Sequence, residues 1–453
     1  MRLLRGRLPS TTLVILTSFF LVILLGAVLL SLPISAASGK AISFVDALFT
    51  ATSATCVTGL VVFPTVTTFS AFGQVVLLLL IQIGGLGVIT VLGMIAVLLN
   101  KRLGLFGGAL LRDAFNLNSL SGLLGFLKRV VLGTLLIELL GALCYLPVFL
   151  PEFGVRGVWI AVFTAVSAFC NAGIDIIATD SLVSYVTNPL VNTVTSVLIV
   201  LGGLGFIVWW DVLRVLKKKR QERCRFFQSL TLHSRIVLVT TGLLIFLGAA
   251  AFFLFEYNNP STMQGMSLPQ KIGAALFQSI TTRTAGFATI PQENFTNASA
   301  FVSLFLMFIG GSPVGTAGGI KTVTVAVLFA TMLAVARNQN HVSLQDRYLP
   351  REAVYKAVAV AAMSFATVFF STVLLAAVTE APALDILYET VSATATVGLS
   401  RNFTASLGTA GKLIITFTMY CGRVGPISIA LLLGKSRQNR NIVQNPTEDV
   451  SVG

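Results

Sequence analysis

Eight long apolar runs set the first constraint on this chain. They fall at about residues 11–33, 73–99, 129–150, 190–213, 235–255, 301–309 continuing through 320–335, 353–379 and 410–434. A helix crossing the hydrocarbon of a bilayer needs roughly 20 such residues. Only 11% of the 453 residues are charged, against about 25% in a soluble domain, so the runs predict an all-α polytopic membrane protein. Arg2, Arg5 and Arg7 before the first run imitate a signal peptide. The run is too long for one and has no small-residue cleavage site, so a retained first helix is expected. The five cysteines (Cys56, Cys144, Cys170, Cys224, Cys421) are scattered without a CxxC, and His233 and His341 are the two histidines. That pattern argues against a disulfide framework, a zinc site or a histidine-rich metal centre. With no Ser/His/Asp set, HExxH or Walker motif, an enzyme is not expected.

Charge orients the spans. Grouping the connecting segments alternately puts 23 of the 31 Lys and Arg on the face that also holds both termini. The other face holds Lys40, Arg156, Lys271, Arg283, Arg401 and Lys412 beside nine acids, among them Asp46, Asp175 and Asp180. The positive-inside rule makes the first face cytoplasmic. It also explains the net charge of +14 without nucleic acid, since short juxtamembrane basic segments suit anionic lipid or an acidic partner.

Each connection on the opposite face contains an apolar segment too short to cross. Residues 47–60 read ALFTATSATCVTGL, 161–174 read AVFTAVSAFCNAGI, 275–287 read ALFQSITTRTAGF and 386–399 read ILYETVSATATVGL. An aromatic (Phe49, Phe163, Phe277, Tyr388) leads each copy, and a glycine (Gly59, Gly173, Gly286, Gly398) closes it ten residues later, or nine in the third. The unit is span, short helix, small-residue loop, span. Two spans per unit give all copies one orientation, unlike inverted-repeat transporters, so the expected fold is four parallel helix–pore-loop–helix repeats around a pseudo-fourfold central pore. The repeats are predicted at 11–100, 126–217, 234–336 and 352–435, with tails at 1–10 and 436–453. Non-helical backbone at membrane depth survives only when buried or facing water. Loops lining an axis could therefore replace a cation's hydration shell with carbonyl oxygens, helped by the negative C-terminal ends of the short helices. A turn between re-entrant segments is the plainer reading of any one of these glycines alone. Cys56 and Cys170 read as small buried spacers.

The segments Thr55–Leu60, Asn171–Asp175, Thr281–Phe287 and Thr396–Ser400 resemble the four filter loops of the Trk/Ktr/HKT superfamily of potassium- or sodium-translocating subunits, and most of all KtrB-type subunits. The resemblance runs from about residue 11 to 435. It implies a filter built from the backbone carbonyls of Thr55, Cys56, Val57, Thr58 and Gly59; Cys170, Asn171, Ala172 and Gly173; Thr282, Arg283, Thr284, Ala285 and Gly286; and Thr394, Ala395, Thr396, Val397 and Gly398. Glycine in all four copies resembles the potassium-selective pattern, while Phe63-Pro64-Thr65 and Ala288 depart from the family at the mouth. Implied with it are potassium as the transported ion, sodium as a candidate activator, no cofactor in this chain, a homodimer, and a separate KtrA-like nucleotide-binding ring on the cytoplasmic face. A sodium-permeable or sodium-coupled cation transporter of the same architecture is the alternative.

The second span of repeat three is interrupted by Gly310-Gly311-Ser312-Pro313-Val314-Gly315-Thr316-Ala317-Gly318-Gly319, a composition that a continuous helix hardly tolerates. It reads as a flexible plug or as a close-packed kink; the resembled family has a gating loop here. Arg423, in the matching span of repeat four, costs roughly 2.5–3.5 kcal/mol at a helix centre and needs partners, which carbonyls or hydroxyls of 310–319 could supply, as a barrier or as a structural clamp. Glu138 is expected to make a polar packing contact. Gly84-Gly85-Leu86-Gly87 and Gly202-Gly203-Leu204-Gly205 are expected to serve close helix packing.

Overall fold

The computed structural model describes residues 11–98, 123–221, 226–339, 341–345 and 347–425. The tails 1–10 and 436–453, the end of repeat four from Pro426, and much of the basic sequence at 101–112 and 222–225 lie outside the described residues. Four helices are long and apolar enough to cross a bilayer, and each opens one copy of the repeat: Thr11–Ser31, Gly125–Phe153 within a helix starting at Leu123, Leu232–Glu256 and Arg351–Val378. A short helix follows each of them: Phe44–Cys56, Arg156–Cys170, Leu268–Thr281 and Ala383–Ala395. Three of the second spans then start at side-chain caps. Ser70 Oγ accepts the Gly73 N–H, Asn188 Oδ1 those of Leu190 and Val191, and Thr296 Oγ1 that of Ser299, satisfying donors that a helix start leaves open. A two-stranded hairpin, Ser343–Leu344 with Arg347–Tyr348, is the only sheet among the described residues.

Burial is inverted relative to a soluble protein. Leu136, Phe246, Leu254 and Phe365 are exposed on the long helices, whereas Thr50, Thr52, Ser53, Thr164, Ser167, Ser279, Thr390 and Ser392 of the short helices are buried. Small and hydroxyl side chains let the short helices pack closely and satisfy their polar atoms within the protein.

The second spans differ from expectation. Repeat three is broken, as its composition predicts, with Asn297–Phe308 and Thr322–Ala336 flanking the irregular 309–321. Repeats one and two are broken too: Ala71–Leu86 turns by 97° into the helix starting at Val88, and Pro189–Leu204 turns by 97° into the one starting at Phe206. The break residues Gly87 and Gly205 have φ of +86°, and Gly425, at the end of Thr409–Val424, has +91°, conformations open to glycine and costly for other residues. The glycine runs also pack closely, but against the last turn of a short helix rather than another span. A Cβ on Gly84 would overlap the Thr55 carbonyl, one on Gly202 the Phe169 carbonyl, and one on Gly422 the Thr394 carbonyl.

Candidate functional site: a ring of four loops above an irregular segment

Three of the short helices end on a left-handed residue: Val57 (φ +57°), Asn171 (φ +59°) and Thr396 (φ +52°). The third stops at Thr281, passes through Thr282 and Arg283, and reaches the same conformation at Thr284 (φ +71°). The one-residue deletion is thus absorbed at the helix end, and every left-handed residue stands two before its glycine. The glycines themselves have φ of +96°, +64°, +82° and +93° at Gly59, Gly173, Gly286 and Gly398. A β-branched residue at positive φ is a genuine outlier, costing of order 1–3 kcal/mol where the surroundings enforce it. Val57, Thr284 and Thr396 pay that cost at matching places.

The surroundings that enforce it are hydrogen bonds back to the short helices. Val57 N donates to Ala54 O, Thr58 N to Ser53 O and Gly59 N to Ser53 Oγ, at 3.2, 2.8 and 3.1 Å. In repeat four Thr396 N, Val397 N and Gly398 N bond Ala393 O, Ser392 O and Ser392 Oγ at 3.2, 2.8 and 3.0 Å. In repeat two the Ser167 hydroxyl instead donates to Ile174 O at 2.5 Å, and in repeat three the Thr281 hydroxyl donates to Phe287 O at 2.6 Å. In a trans peptide the N–H and C=O point opposite ways. With successive N–H groups turned back to the helix, the carbonyls of Cys56, Val57 and Thr58, and of Ala395, Thr396 and Val397, face away from it.

They face one another's loops. A Cβ on Gly59 would lie 2.5 Å from Ala172 O, one on Gly173 2.5 Å from Ala285 O, and one on Gly286 2.6 Å from Val397 O. One on Gly398 would overlap Thr58 O, which closes the circle. The four loops therefore surround a single axis in chain order, with carbonyl oxygens and glycine Cα atoms in contact around it. A cavity of about 370 Å³ opens on one side and touches all four glycines; Asp175, Asp180, Glu293 and Ser400 also line it. Of the nine acids on the outward face, Asp46 is paired with Lys412 and Asp385 with Arg401, each at 2.7 Å.

The 309–321 segment lies on the other side of the ring. Ile309 and Ile320 bridge in parallel, Gly310 N bonds Ile320 O, and Thr322 N bonds Gly311 O. Ser312 N and Thr316 N donate to Gly203 O and Gly202 O at 2.9 and 3.2 Å, and Phe206 N donates to Val314 O at 3.0 Å, so the break in repeat two supplies the segment's anchorage. Thr316 Oγ1 lies 3.1 Å from Phe169 O and 3.1 Å from the Asn171 amide. Gly318 lies against the Thr396 side chain and Ala395 O. The sequence-predicted residues Gly310, Gly311, Ser312, Gly315, Thr316, Ala317, Gly318 and Gly319 thus sit directly beneath the loop ends. Beyond them, a second cavity of about 290 Å³ is lined by Gly87, Val314, Gly315 and Arg423.

Arg423 finds the kind of partner its burial demands: its guanidinium donates to Thr316 O at 2.6 Å and also to Gly84 O. Lys321 Nζ donates to Ala317 O at 2.7 Å. Arg283 was expected to add to the charge of the outward face, but its side chain is buried and reaches Gly310 O at 3.4 Å. Glu138 makes the expected polar packing contact, with Gln82 Nε2 at 3.1 Å and the Cys170 thiol at 3.8 Å. Sequence reasoning missed the hydroxyl column Ser53, Ser167, Thr281 and Ser392, which stands four residues after each leading aromatic.

The comparisons agree with this geometry. The TrkH family model, described as cation transport protein, matches residues 7–444. The chain is 38% identical over 441 residues to Ktr system potassium uptake protein B of Bacillus subtilis, covering 97% of this chain and 96% of that one. It is 35% identical over 455 residues to the potassium/sodium uptake protein NtpJ of Enterococcus hirae, covering 99% and 98%. The crystal structure of the potassium transporter TrkH from Vibrio parahaemolyticus superposes with a TM-score of 0.73 at 17% identity, over 95% of this chain and 86% of that chain, a likeness of fold. That family is one of transporters rather than enzymes, and its apolar helices make this a multi-pass membrane protein. The chain belongs to the TrkH/KtrB family of cation transport proteins.

Proposed function

We propose that the chain takes up potassium across the cytoplasmic membrane through the ring of loop carbonyls, gated by the glycine-rich segment 310–319. The single observation that carries this reading is the closed order of contacts Gly59–Gly173–Gly286–Gly398. Four strands whose N–H groups turn outward and whose oxygens turn inward offer a dehydrated cation a replacement for its water, with four helix C-termini behind it. Asp175, Asp180 and Glu293 raise cation concentration at the mouth. Segment 310–319 blocks the path beneath, and Arg423 holds it there while placing positive charge below the carbonyls. Relatives named for potassium uptake in Ktr systems support potassium as the ion and association with further Ktr components; the proposal includes a homodimer and a cytoplasmic regulatory ring on the basic face, where both termini would lie.

A second reading, passage of sodium as well, is favoured by the likeness to NtpJ, named for both ions. Growth rescue of potassium-uptake-deficient cells at low potassium separates the two. We expect rescue by the unsubstituted chain and its loss in Gly59→Ser together with a gain in sodium flux. Arg423→Ala should raise flux in the purified subunit by about tenfold or more, the loss of an interaction of about 1.4 kcal/mol. No rescue by correctly inserted protein would overturn potassium as the substrate, and unchanged flux in Arg423→Ala would overturn the gate.

A further inference from the structure

The position after each leading aromatic is neutral in three copies (Thr50, Thr164, Gln278) and acidic only in the fourth, Glu389. Glu389 has no exposed surface, a place where a carboxyl group survives only when its oxygens are satisfied. Both are. Ser400 Oγ donates to Glu389 Oε2 at 2.7 Å and Thr404 Oγ1 to Glu389 Oε1 at 2.5 Å. Ser400 stands two residues past Gly398, and its hydroxyl oxygen also accepts the Phe403 N–H at 3.2 Å. Gly398, Ser400 and Thr404 all line the mouth cavity, so the carboxyl group lies one side chain behind its wall.

We propose that Glu389 is a positioning residue for ion discrimination. It ties the exit of the fourth loop to the short helix that carries it and so sets where the Val397 and Gly398 carbonyls stand in the ring. The other loops are tied differently. In repeat three the exit is held by Leu182 N donating to Ala288 O and Ala288 N donating to Ser181 Oγ, contacts with a different repeat. Among the described residues, repeat four alone has a carboxyl group with one oxygen for each of two exit hydroxyls. Since Val397 O lies against Gly286 and Gly398 lies against Thr58 O, displacement of this strand opens the circle at two of its four contacts.

The inference rests on the reading of the four loops as the filter, and the test separates the two. Potassium and sodium fluxes are measured in proteoliposomes for Glu389→Ala, Glu389→Gln, the Ser400→Ala/Thr404→Val pair and Gly398→Ser. Their ratio is the readout, since it does not depend on how much protein folds. Glu389→Ala should lower the potassium-to-sodium ratio by about tenfold, equivalent to about 1.4 kcal/mol. Glu389→Gln should keep most of it, because the amide still bonds both hydroxyls. The Ser400/Thr404 pair should reproduce the loss and show no further drop when combined with Glu389→Ala. Should Glu389→Ala fail to insert, the hydroxyl pair decides alone. An unchanged ratio in the Glu389 and hydroxyl variants, with a lowered one in Gly398→Ser, overturns the role of Glu389. An unchanged ratio in Gly398→Ser overturns the filter itself.

Discussion

A half-buried carboxyl group at the mouth is expected to make this site sensitive to acid. Asp175 lies outside the spans, two residues past Gly173, and accepts the Ile177 N–H. Burial raises its pKa from 3.8 to about 6, and that bond only partly offsets it. The sign follows: above about pH 6 the group is charged and attracts cations, and below it the charge is lost. Flux at low potassium should therefore decline as pH falls from 7 to 5, and Asp175→Asn should flatten that step at the lower level; an unaltered pH profile in the variant would refute the assignment. The acids at the mouth were legible as a set but not individually, because Asp46 and Asp385 meet Lys412 and Arg401 only through folding. The hydroxyls at Ser53, Ser167, Thr281 and Ser392 are a different case. Their column stands in the aligned repeats and could have been read, since a hydroxyl at a helix end competes for nearby backbone groups.

At the scale of elements, the breaks in the second spans organise everything beneath the loops. Gly205 takes φ +86°, and a Cβ there would lie 2.6 Å from Pro313 O. Gly205→Ala should cost of order 1–3 kcal/mol, because φ +86° with ψ 142° is backbone that side-chain-bearing residues rarely adopt, and should push segment 309–321 off its anchors. The expected result is a lower melting temperature in detergent together with raised basal flux. A lower melting temperature with flux unchanged would mean that the anchorage does not govern the gate. Repeat three showed its interruption openly, through five glycines and a proline. The 97° turns in repeats one and two did not show, because glycine is common in membrane helices and Gly84–Gly87 reads equally well as a packing surface. What decides between the two is the tertiary contact: the short helix's end at Thr55 O or Phe169 O occupies the space that a side chain on Gly84 or Gly202 would need.

For the molecule as a whole, the fold was legible because a period of two spans per loop fixes parallel copies, and parallel copies can close on themselves. The order of contacts could not be read, since nothing in the repeat says which loop touches which. Closure makes the four glycines one object. Gly59→Ala and Gly286→Ala should each lower potassium discrimination, and the double variant should lose much less than the sum, as residues sharing one unit do; strict additivity in the flux ratio would argue that the loops act separately. The four strands share main-chain shape but not side chains: Val57-Thr58, Asn171-Ala172, Thr284-Ala285 and Thr396-Val397 occupy equivalent places. One polypeptide can therefore do what four identical subunits cannot, and give each quarter a separate part: the irregular segment to the third, the arginine that bonds its Thr316 carbonyl to the fourth, and the glycine carbonyls that hold the segment to the bend in the second.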